Sequence, residues 1–112
     1  MVYAKGLLGG RVRRSSNVVS RVVADETIVV PIRRGVADLD SIFTFNNSGT
    51  KLWAMIDEGR TVTEMASSLQ LEYGLTAERA FQDVDLFLLD LAGEGLVEPA
   101  REIEPLILNE GS

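Results

Sequence analysis

FNNSGTKLWAMIDEGRTVTEMASSLQLEYGLTAERAFQDVDLFLLDLAGEGLV, the stretch Phe45–Val97, decides the fold of this 112-residue chain. It contains three helix-length segments, each entered through polar residues that favour a helix N-cap and each followed by glycine. The first helix begins at one of three capping types, Asn46, Asn47 or Ser48, and ends at Gly59. Its apolar residues recur at helical spacing: Leu52, Trp53, Met55 and Ile56.

The second helix carries a start signal and a stop signal. Thr61 and Glu64 have the spacing of a capping box, in which the threonine caps the backbone and the glutamate reaches back. Its apolar residues follow in order: Met65, Ala66, Leu69 and Tyr73. Gly74 is the expected end of this helix because glycine readily adopts the left-handed conformation that closes a helix.

The third helix, capped by Thr76, is predicted over residues 77–92. One face of it is predicted to enter the core: Phe81, Val84, Leu88, Leu91 and Ala92. Leu86 and Leu89 lie outside that face, and Phe87 lies at its margin. These extra apolar side chains predict a contact surface, or else a face that the sheet or a second subunit covers.

Upstream of the helices the pattern is that of short strands. Residues 18–24 and 27–32 are β-branched runs separated by two acids, which predicts an antiparallel hairpin with Pro31 at the end or outer margin of its second strand. Residues 41–45 are predicted to form a third strand, with Phe43 and Phe45 on one face and Ile42 and Thr44 on the other. The fold class is therefore α+β: a small three-stranded antiparallel sheet followed by three helices, similar to a winged helix-turn-helix.

The chain divides into three parts by composition. We expect residues 1–16 to be a flexible basic arm, residues 17–98 to be the folded domain, and residues 99–112 to be an acidic C-terminal tail. The basic cluster Arg11, Arg13 and Arg14 either binds an acidic partner or belongs to a solvated tail. Since the apolar N-terminal stretch is shorter than a signal-peptide core and no run is long enough to span a bilayer, we expect a cytoplasmic protein without a membrane partner.

The amino-acid composition argues against catalysis by this chain. It has no histidine and no cysteine, so the commonest metal ligand, general base and thiol nucleophile are all missing. Asp83, Asp85 and Asp90 are close in sequence, but their spacing turns them to different sides, which indicates a solvated polar face rather than a metal site. We therefore expect a protein that is not an enzyme, with no catalytic residue, metal or cofactor.

Charge is divided unevenly along the chain. Residues 1–40 hold seven basic residues against four acids (+3), whereas residues 41–112 hold four against thirteen (−9). The third helix, which would enter a DNA groove in a winged-helix protein, carries five acids and a single arginine, Arg79, and phosphates would repel it. Nucleic acid is therefore not the expected partner. A winged-helix DNA-binding regulator stays as one alternative. A homo-oligomeric structural module, such as a homodimer joined through Leu86 and Leu89, stays as another.

Peptide recognition by strand addition fits the remaining features. The third strand is a candidate sheet edge, which offers backbone N–H and C=O groups to an incoming chain. The third helix, with its surplus leucines, is a candidate wall beside that edge. Together they predict an apolar groove with acidic edges.

Over about residues 17–98 the sequence resembles the PqqD family, the peptide chaperones of pyrroloquinoline quinone biosynthesis and related leader-recognition domains. The residues that carry the resemblance are Phe45-Asn46, Gly49, Leu52-Trp53, Gly59, Thr61-Val62, Glu64-Met65, Leu69, Tyr73, Asp83-Val84, Phe87-Leu88, Leu91 and Gly95-Leu96-Val97. Phe45 departs from the family pattern, since leucine is usual there.

The resemblance implies a domain that binds the leader of a ribosomally made precursor peptide as an added strand. The domain would present that peptide to a modifying enzyme, typically a radical S-adenosylmethionine enzyme that holds any iron–sulfur cluster itself. The implied strand side of the peptide site is Ile42, Phe43 and Thr44, and the helix side is Asp83, Leu86, Phe87 and Asp90. Members serve several peptide classes, so quinone biosynthesis is one pathway among several.

Overall fold

The structure is a computed structural model that describes residues 10–100. Its strands are β1 (Val12–Arg14), β2 (Val18–Val23), β3 (Glu26–Arg33), β4 (Val36–Ala37), β5 (Phe43–Phe45) and β6 (Val97–Pro99). Its helices are α1 (Asn47–Asp57), α2 (Val62–Tyr73) and α3 (Ala77–Gly93). The predicted α+β class, with a small antiparallel sheet and three helices, is confirmed.

The main sheet is built around β3. β2 pairs with β3 as the predicted hairpin, in a register that runs from Val18 opposite Pro31 to Val23 opposite Glu26. The other edge of β3 is shared by β5 and by β4. The sheet therefore has four strands rather than the three expected. The extra strand arises because Arg34 and Gly35 both adopt positive φ (58° and 78°), the conformation of a tight two-residue hairpin turn.

Pro31 lies inside β3 without breaking it. Its carbonyl oxygen accepts a hydrogen bond from the Asp38 backbone N–H (2.8 Å), on the edge of β3 that β4 occupies. On that edge β5 pairs with residues 27–29 and β4 pairs with residues 32–33. Pro31 falls in the gap between the two strands, so its missing N–H removes no ladder bond.

The helices begin where their caps predict. The side chains of Asn46, Thr61 and Thr76 each accept a hydrogen bond from the backbone N–H three residues ahead. Glu64 closes the capping box by accepting from the Thr61 N–H at 2.9 Å. Gly74 ends α2 in the left-handed conformation (φ 65°), as expected. These contacts satisfy helix-end groups that have no partner inside the helix.

The core lies between the sheet and the three helices. Its buried apolar residues are Val12, Val29, Phe45, Leu52, Trp53, Ile56, Val62, Met65, Ala66, Leu69, Ala80, Val84, Leu88, Leu91, Leu96 and Val97. Trp53 is the central anchor, as expected: its ring is buried and its Nε1–H donates to Ser20 Oγ at 3.0 Å. That bond satisfies the indole donor and ties α1 to β2.

The buried face of α3 is rotated from the predicted one. Val84, Leu88 and Leu91 are buried as expected, but Phe81, predicted to enter the core, is 38% exposed and Ala80 is buried in its place. Ala80 and Val84 are one turn apart, so the buried stripe begins at the alanine and Phe81 lies about 100° away from it. Asp85, expected on a solvated face, is also buried.

Both ends of the described chain are joined in a second, two-stranded sheet. β1 pairs with β6 antiparallel, with Val12 opposite Pro99 and Arg14 opposite Val97. The flexible arm expected over residues 1–16 thus contains a strand, and Pro99, expected in the tail, belongs to one too. Residues 1–9 and 101–112 lie outside the described part of the chain.

The arginines of the expected basic arm make structural contacts. Arg14 lies over the Trp53 ring, 4.4 Å from its centroid, and donates to the Trp53 carbonyl oxygen at 2.8 Å. Arg13 pairs with Glu98 across the two-stranded sheet at 2.7 Å. Burial lowers the pKa of Arg14, while the carboxylate of Asp57 raises it. The cluster therefore serves to hold β1 in place.

Candidate functional site

The short strand β5 forms one open edge of the main sheet. One side of it pairs with β3, with Phe43, Thr44 and Phe45 opposite Val29, Ile28 and Thr27. Within residues 10–100 no strand pairs with its other side. Its backbone groups on that side are therefore available to another chain.

β5 is shorter than predicted because a turn precedes it. Residues 39–41 form one turn of 3₁₀-helix, and Asp38 caps that turn by accepting from the Asp40 backbone N–H at 3.1 Å. The strand predicted over residues 41–45 thus begins only at Phe43. Ile42 is the residue between the turn and the strand, and its side chain is half-exposed.

A groove of about 860 Å³ lies beside the end of β5. Its lining residues come from β5, the start of α1, the end of α2 with the following loop, and α3: Thr44, Phe45, Asn46, Asn47, Ser48, Gly49, Leu52, Leu69, Tyr73, Leu75, Asp83, Leu86 and Phe87. Most of the side chains beneath it are apolar, so the groove suits an apolar side chain of a ligand better than a charged one.

An aromatic cluster supports this groove. The ring of Phe45 contacts Trp53 and Phe87 edge to face, with centroid separations of 5.4 Å in each case. Phe45 thereby links β5 to α1 and α3. Such edge-to-face pairs are favourable beyond their buried area, so they set the spacing between the strand and the helix.

Gly49 permits the close approach of α1 to that cluster. It is buried in the first turn of the helix, and a β-carbon built there would lie 3.0 Å from Cβ of Phe45 and 3.4 Å from Cε1 of Phe87. The first distance is tighter than an ordinary van der Waals contact. A larger side chain at this position would displace the aromatic cluster.

The predicted site residues divide into two groups. Thr44, Asp83, Leu86 and Phe87 line the groove. Ile42, Phe43 and Asp90 do not. Phe43 packs against the core, and Asp90 is exposed on α3, two turns beyond Asp83. The role of each in binding stays a prediction.

Nine of the thirteen groove residues were not predicted as site residues, and three of the nine come from α2 and the loop after it. Leu69 and Tyr73 come from α2, one turn apart, and Leu75 comes from the loop that follows. The sequence analysis named Leu69 and Tyr73 only as apolar residues of the second helix. Tyr73 is nevertheless 45% exposed, so it presents its ring to the groove rather than to the interior.

The groove carries little charge. Among the described residues that line it, Asp83 alone is ionisable at neutral pH, and it pairs with Arg79 one turn earlier (3.1 Å). Nearby, Lys51 of α1 pairs with Glu72 of α2 at 2.9 Å, and the hydrogen bond to Glu72 raises the pKa of Lys51. The acidic edges expected from the sequence are thus reduced to one partly neutralised carboxylate.

Two kinds of feature are absent from residues 10–100. No group of three or more acidic side chains is placed so that it could hold a metal ion. None of the described helices has both the length and the apolar character needed to cross a bilayer.

Known proteins resemble this chain in sequence and in structure. The family model of coenzyme PQQ synthesis protein D (PqqD) matches residues 26–97. A solved structure of TbiB1 in complex with the TbiA(β) leader peptide is similar, with a TM-score of 0.69 and 24% identity. So is a structure of lasso peptide synthetase B1 complexed with the leader peptide, with a TM-score of 0.69 and 16% identity.

Each of these two structures aligns with 80% of this chain over 99% of its own length. At such low identities the likeness establishes the fold. No curated protein matches the chain by sequence.

Proposed function

Because the chain belongs to the PqqD family, we propose that it binds the leader of a ribosomally made precursor peptide and presents that peptide to a modifying enzyme. The observation that carries the proposal is the unpaired edge of β5 beside an apolar groove. The two similar structures, both of proteins in complex with leader peptides, support the same function.

The leader binds as an extra strand along β5. β5 has three residues, so the ladder offers few backbone hydrogen bonds and each is worth only about 0.5–1.5 kcal/mol net. Side chains must therefore supply much of the affinity. Burying one leucine- or phenylalanine-sized side chain contributes about 1.5–3 kcal/mol.

Alternation of side chains along a strand gives the selectivity. Every second residue of the added strand points to the same face, so one or two apolar residues of the leader enter the groove while their neighbours face solvent. Tyr73, Leu86 and Phe87 form its walls. We expect the leader to carry an aromatic or branched aliphatic residue at that position.

The proposed peptide site keeps the residues implied by the family resemblance. Ile42, Phe43 and Thr44 supply the backbone on the strand side. On the helix side, Asp83, Leu86 and Phe87 line the groove, and Asp90 extends the site along α3. To these we add Tyr73 as a further wall, and Leu69 and Leu75 as the floor beneath the bound side chain.

The domain delivers the precursor peptide to the enzyme and does not itself catalyse the modification. Holding the peptide and its enzyme together raises their effective concentration, which accelerates modification without altering the chemical step. A radical S-adenosylmethionine enzyme is the first candidate partner, another tailoring enzyme the second, and quinone biosynthesis one candidate pathway. The location we propose for this delivery is the cytoplasm.

DNA binding is disfavoured by the surface of α3. Glu78, Asp90 and Glu94 are exposed on it, and a helix with this charge repels the phosphate backbone. A homodimer through Leu86 would cover the groove wall and compete with the leader. Peptide binding that weakens as protein concentration rises would favour such a dimer.

Amide NMR of the labelled protein tests the proposal. Titration with the leader peptide encoded beside this gene should shift the signals of residues 41–45 and 83–89. A scrambled peptide of the same composition is the control, since it preserves charge and hydrophobicity but not the order of anchors. Shifts confined to residues 10–15 would refute the proposed site.

A further inference from the structure

The open edge of β2 lacks the features that usually protect a sheet edge from pairing. Native edges are often blocked by lysine, proline or a bulge. β2 has none of the three: its sequence is VVSRVV, and its register with β3 runs without interruption from Val18 to Val23. Within residues 10–100 no strand pairs with its other side. Four of its six residues are valine, which favours strands, so this edge is suited to pairing with another chain.

Every second residue of β2 turns its backbone groups toward this open edge. The Ile32 N–H donates to the Asn17 carbonyl oxygen at 2.7 Å, so these two residues form a hydrogen-bonded pair of the ladder. Such pairs alternate along an antiparallel ladder with pairs that exchange no bond. The next pair, Val18 opposite Pro31, exchanges none, which agrees with the missing N–H of proline. Three residues therefore point their N–H and C=O groups away from β3: Val18, Ser20 and Val22.

We propose that this edge pairs with β2 of a second copy of the chain, antiparallel and about a two-fold axis at Ser20. In this register Ser20 faces its own counterpart, and Val18 of each copy faces Val22 of the other. The free backbone groups of the two strands then meet, and each of these pairs exchanges both of its N–H···O bonds. A second copy is the occupant because the edge is complementary to itself, as a two-fold interface requires.

Arg21 selects this register. An axis at Arg21 also brings the free backbone groups of the two strands together, but it places the two arginines directly opposite each other, and like charges in that position destabilise a strand pair. With the axis at Ser20, Arg21 lies opposite Val19 of the other copy instead. Val19 is 58% exposed in the single chain, and the aliphatic stem of the arginine can cover it.

The proposed pair is closed and leaves the peptide site open. It uses the β2 edge of both copies, so no third copy can add there. β5 pairs with β3 on the edge opposite β2, so both copies keep β5 and its groove free. A dimer through Leu86 would instead cover the groove wall. The inference needs no bound leader, so it stands or fails separately from the proposed function.

Sedimentation equilibrium without peptide provides the first test, over concentrations from about 10 µM to 1 mM, because a contact this small gives a weak dimer. The average mass should rise with concentration from 12.2 kDa toward that of a dimer. Val22→Lys should raise the dimer dissociation constant roughly tenfold or more, since lysine at a sheet edge opposes pairing. Val36→Lys, which adds the same charge at a similarly exposed valine of β4, should leave that constant unchanged.

Two outcomes of this experiment would overturn the proposal. One is a monomer at every concentration. The other is a dimer that Leu86→Ser dissociates and Val22→Lys does not, because that pattern assigns the contact to the wall of the groove.

Cysteine trapping tests the register, because the chain has no cysteine of its own. Residues paired across a ladder lie within the Cα separation that a disulfide needs, about 4.4–6.8 Å. Under mild oxidation, a mixture of Val18→Cys and Val22→Cys proteins should form a disulfide-linked dimer. Each variant alone should not, since its two cysteines lie four residues out of register, roughly 13 Å apart. No linked dimer in the mixture, or equal yields alone and mixed, would contradict the proposed pairing.

Discussion

The main sheet has two open edges, and they differ in what lies beside them. β2 is six residues long and exposes Val19, Val22 and Val23, yet none of its residues lines the groove beside β5. β5 has half that length, but its end opens into a groove walled by α3. The difference teaches that an open edge supplies only backbone partners, and that selectivity requires a neighbouring apolar wall.

The strongest test of this comparison exchanges one exposed apolar residue at each edge for serine. Leu86 and Val22 are equally exposed, at 61% and 60%. Leu86→Ser should weaken leader binding by roughly tenfold or more, because a leucine contact contributes about 1.5–3 kcal/mol and each 1.4 kcal/mol is tenfold. Calorimetric titration measures the dissociation constant.

Val22→Ser is the matched control and should leave leader binding unchanged. Since both side chains are largely in solvent, each variant should unfold within about 0.5 kcal/mol of the parent. Equal losses of affinity in the two variants would show that the groove wall is not what distinguishes the edges.

A smaller effect is expected on the free energy of unfolding when the hydrogen bond between α1 and β2 is removed. Ser20→Ala leaves the buried Nε1–H of Trp53 without its 3.0 Å acceptor. An unsatisfied buried donor costs about 1–3 kcal/mol. Urea denaturation followed by the fluorescence of Trp53, the single tryptophan, measures the loss.

Leader affinity of the folded Ser20→Ala protein should remain that of the parent, because the β2 edge has a structural role. Ser16→Ala, at an exposed position, serves as the control for stability. A Ser20→Ala protein as stable as its control would mean that water replaces the lost acceptor.

The smallest effect concerns the turn that leads into β5. The hydrogen bond from Arg33 is the main cause that lowers the pKa of Asp38, with further contributions from Ser41 and the Asp40 backbone. A depressed folded-state pKa contributes stability that is present above the unfolded pKa and is lost as pH falls through the folded value. Acidification should therefore loosen residues 39–41 and the start of β5.

Because Asp38 is only partly buried and its partner Arg33 is exposed, we expect only a small change, visible in the amide shifts of Asp40 and Ser41 during an acid titration. Asp38→Asn keeps a capping oxygen and should remove this part of the pH dependence. An unchanged titration of Ser41 in that variant would assign the transition to another group.

Local signals in the sequence predicted the helices well. The caps Asn46, Thr61 and Thr76 act through residues three positions away, so their chemistry can be read without knowledge of the tertiary structure. The hairpin of β2 and β3 is also local. Its register follows from a two-residue turn.

Long-range contacts were the part that the sequence did not reveal. β1 pairs with β6 across more than 80 residues, and neither strand has more than three residues, so no periodicity could indicate them. The predicted burial of Phe81 was wrong. The buried face of α3 begins one residue earlier, at Ala80, and both choices give an apolar face at helical spacing. Whether Ala80 or Phe81 enters the core depends on how α3 packs against α2.

The candidate groove was predicted in outline. Its strand and helix could be named, and Thr44, Asp83, Leu86 and Phe87 line it. Tyr73 could not be assigned to it, because its place depends on where the α2–α3 loop turns. Ile42 was included because the family resemblance implied it for the strand side, but the 3₁₀ turn over residues 39–41 leaves it just before β5.

The pairing of β1 with β6 gives the domain a convenient form of attachment. Val12 and Pro99 stand opposite each other, so the two ends of the described residues lie side by side. Domains whose ends meet in this way tolerate insertion into a loop of a larger protein, and circular permutation as well. The domain could therefore be inserted into a loop of a modifying enzyme, or joined to one of its ends, without a change of fold.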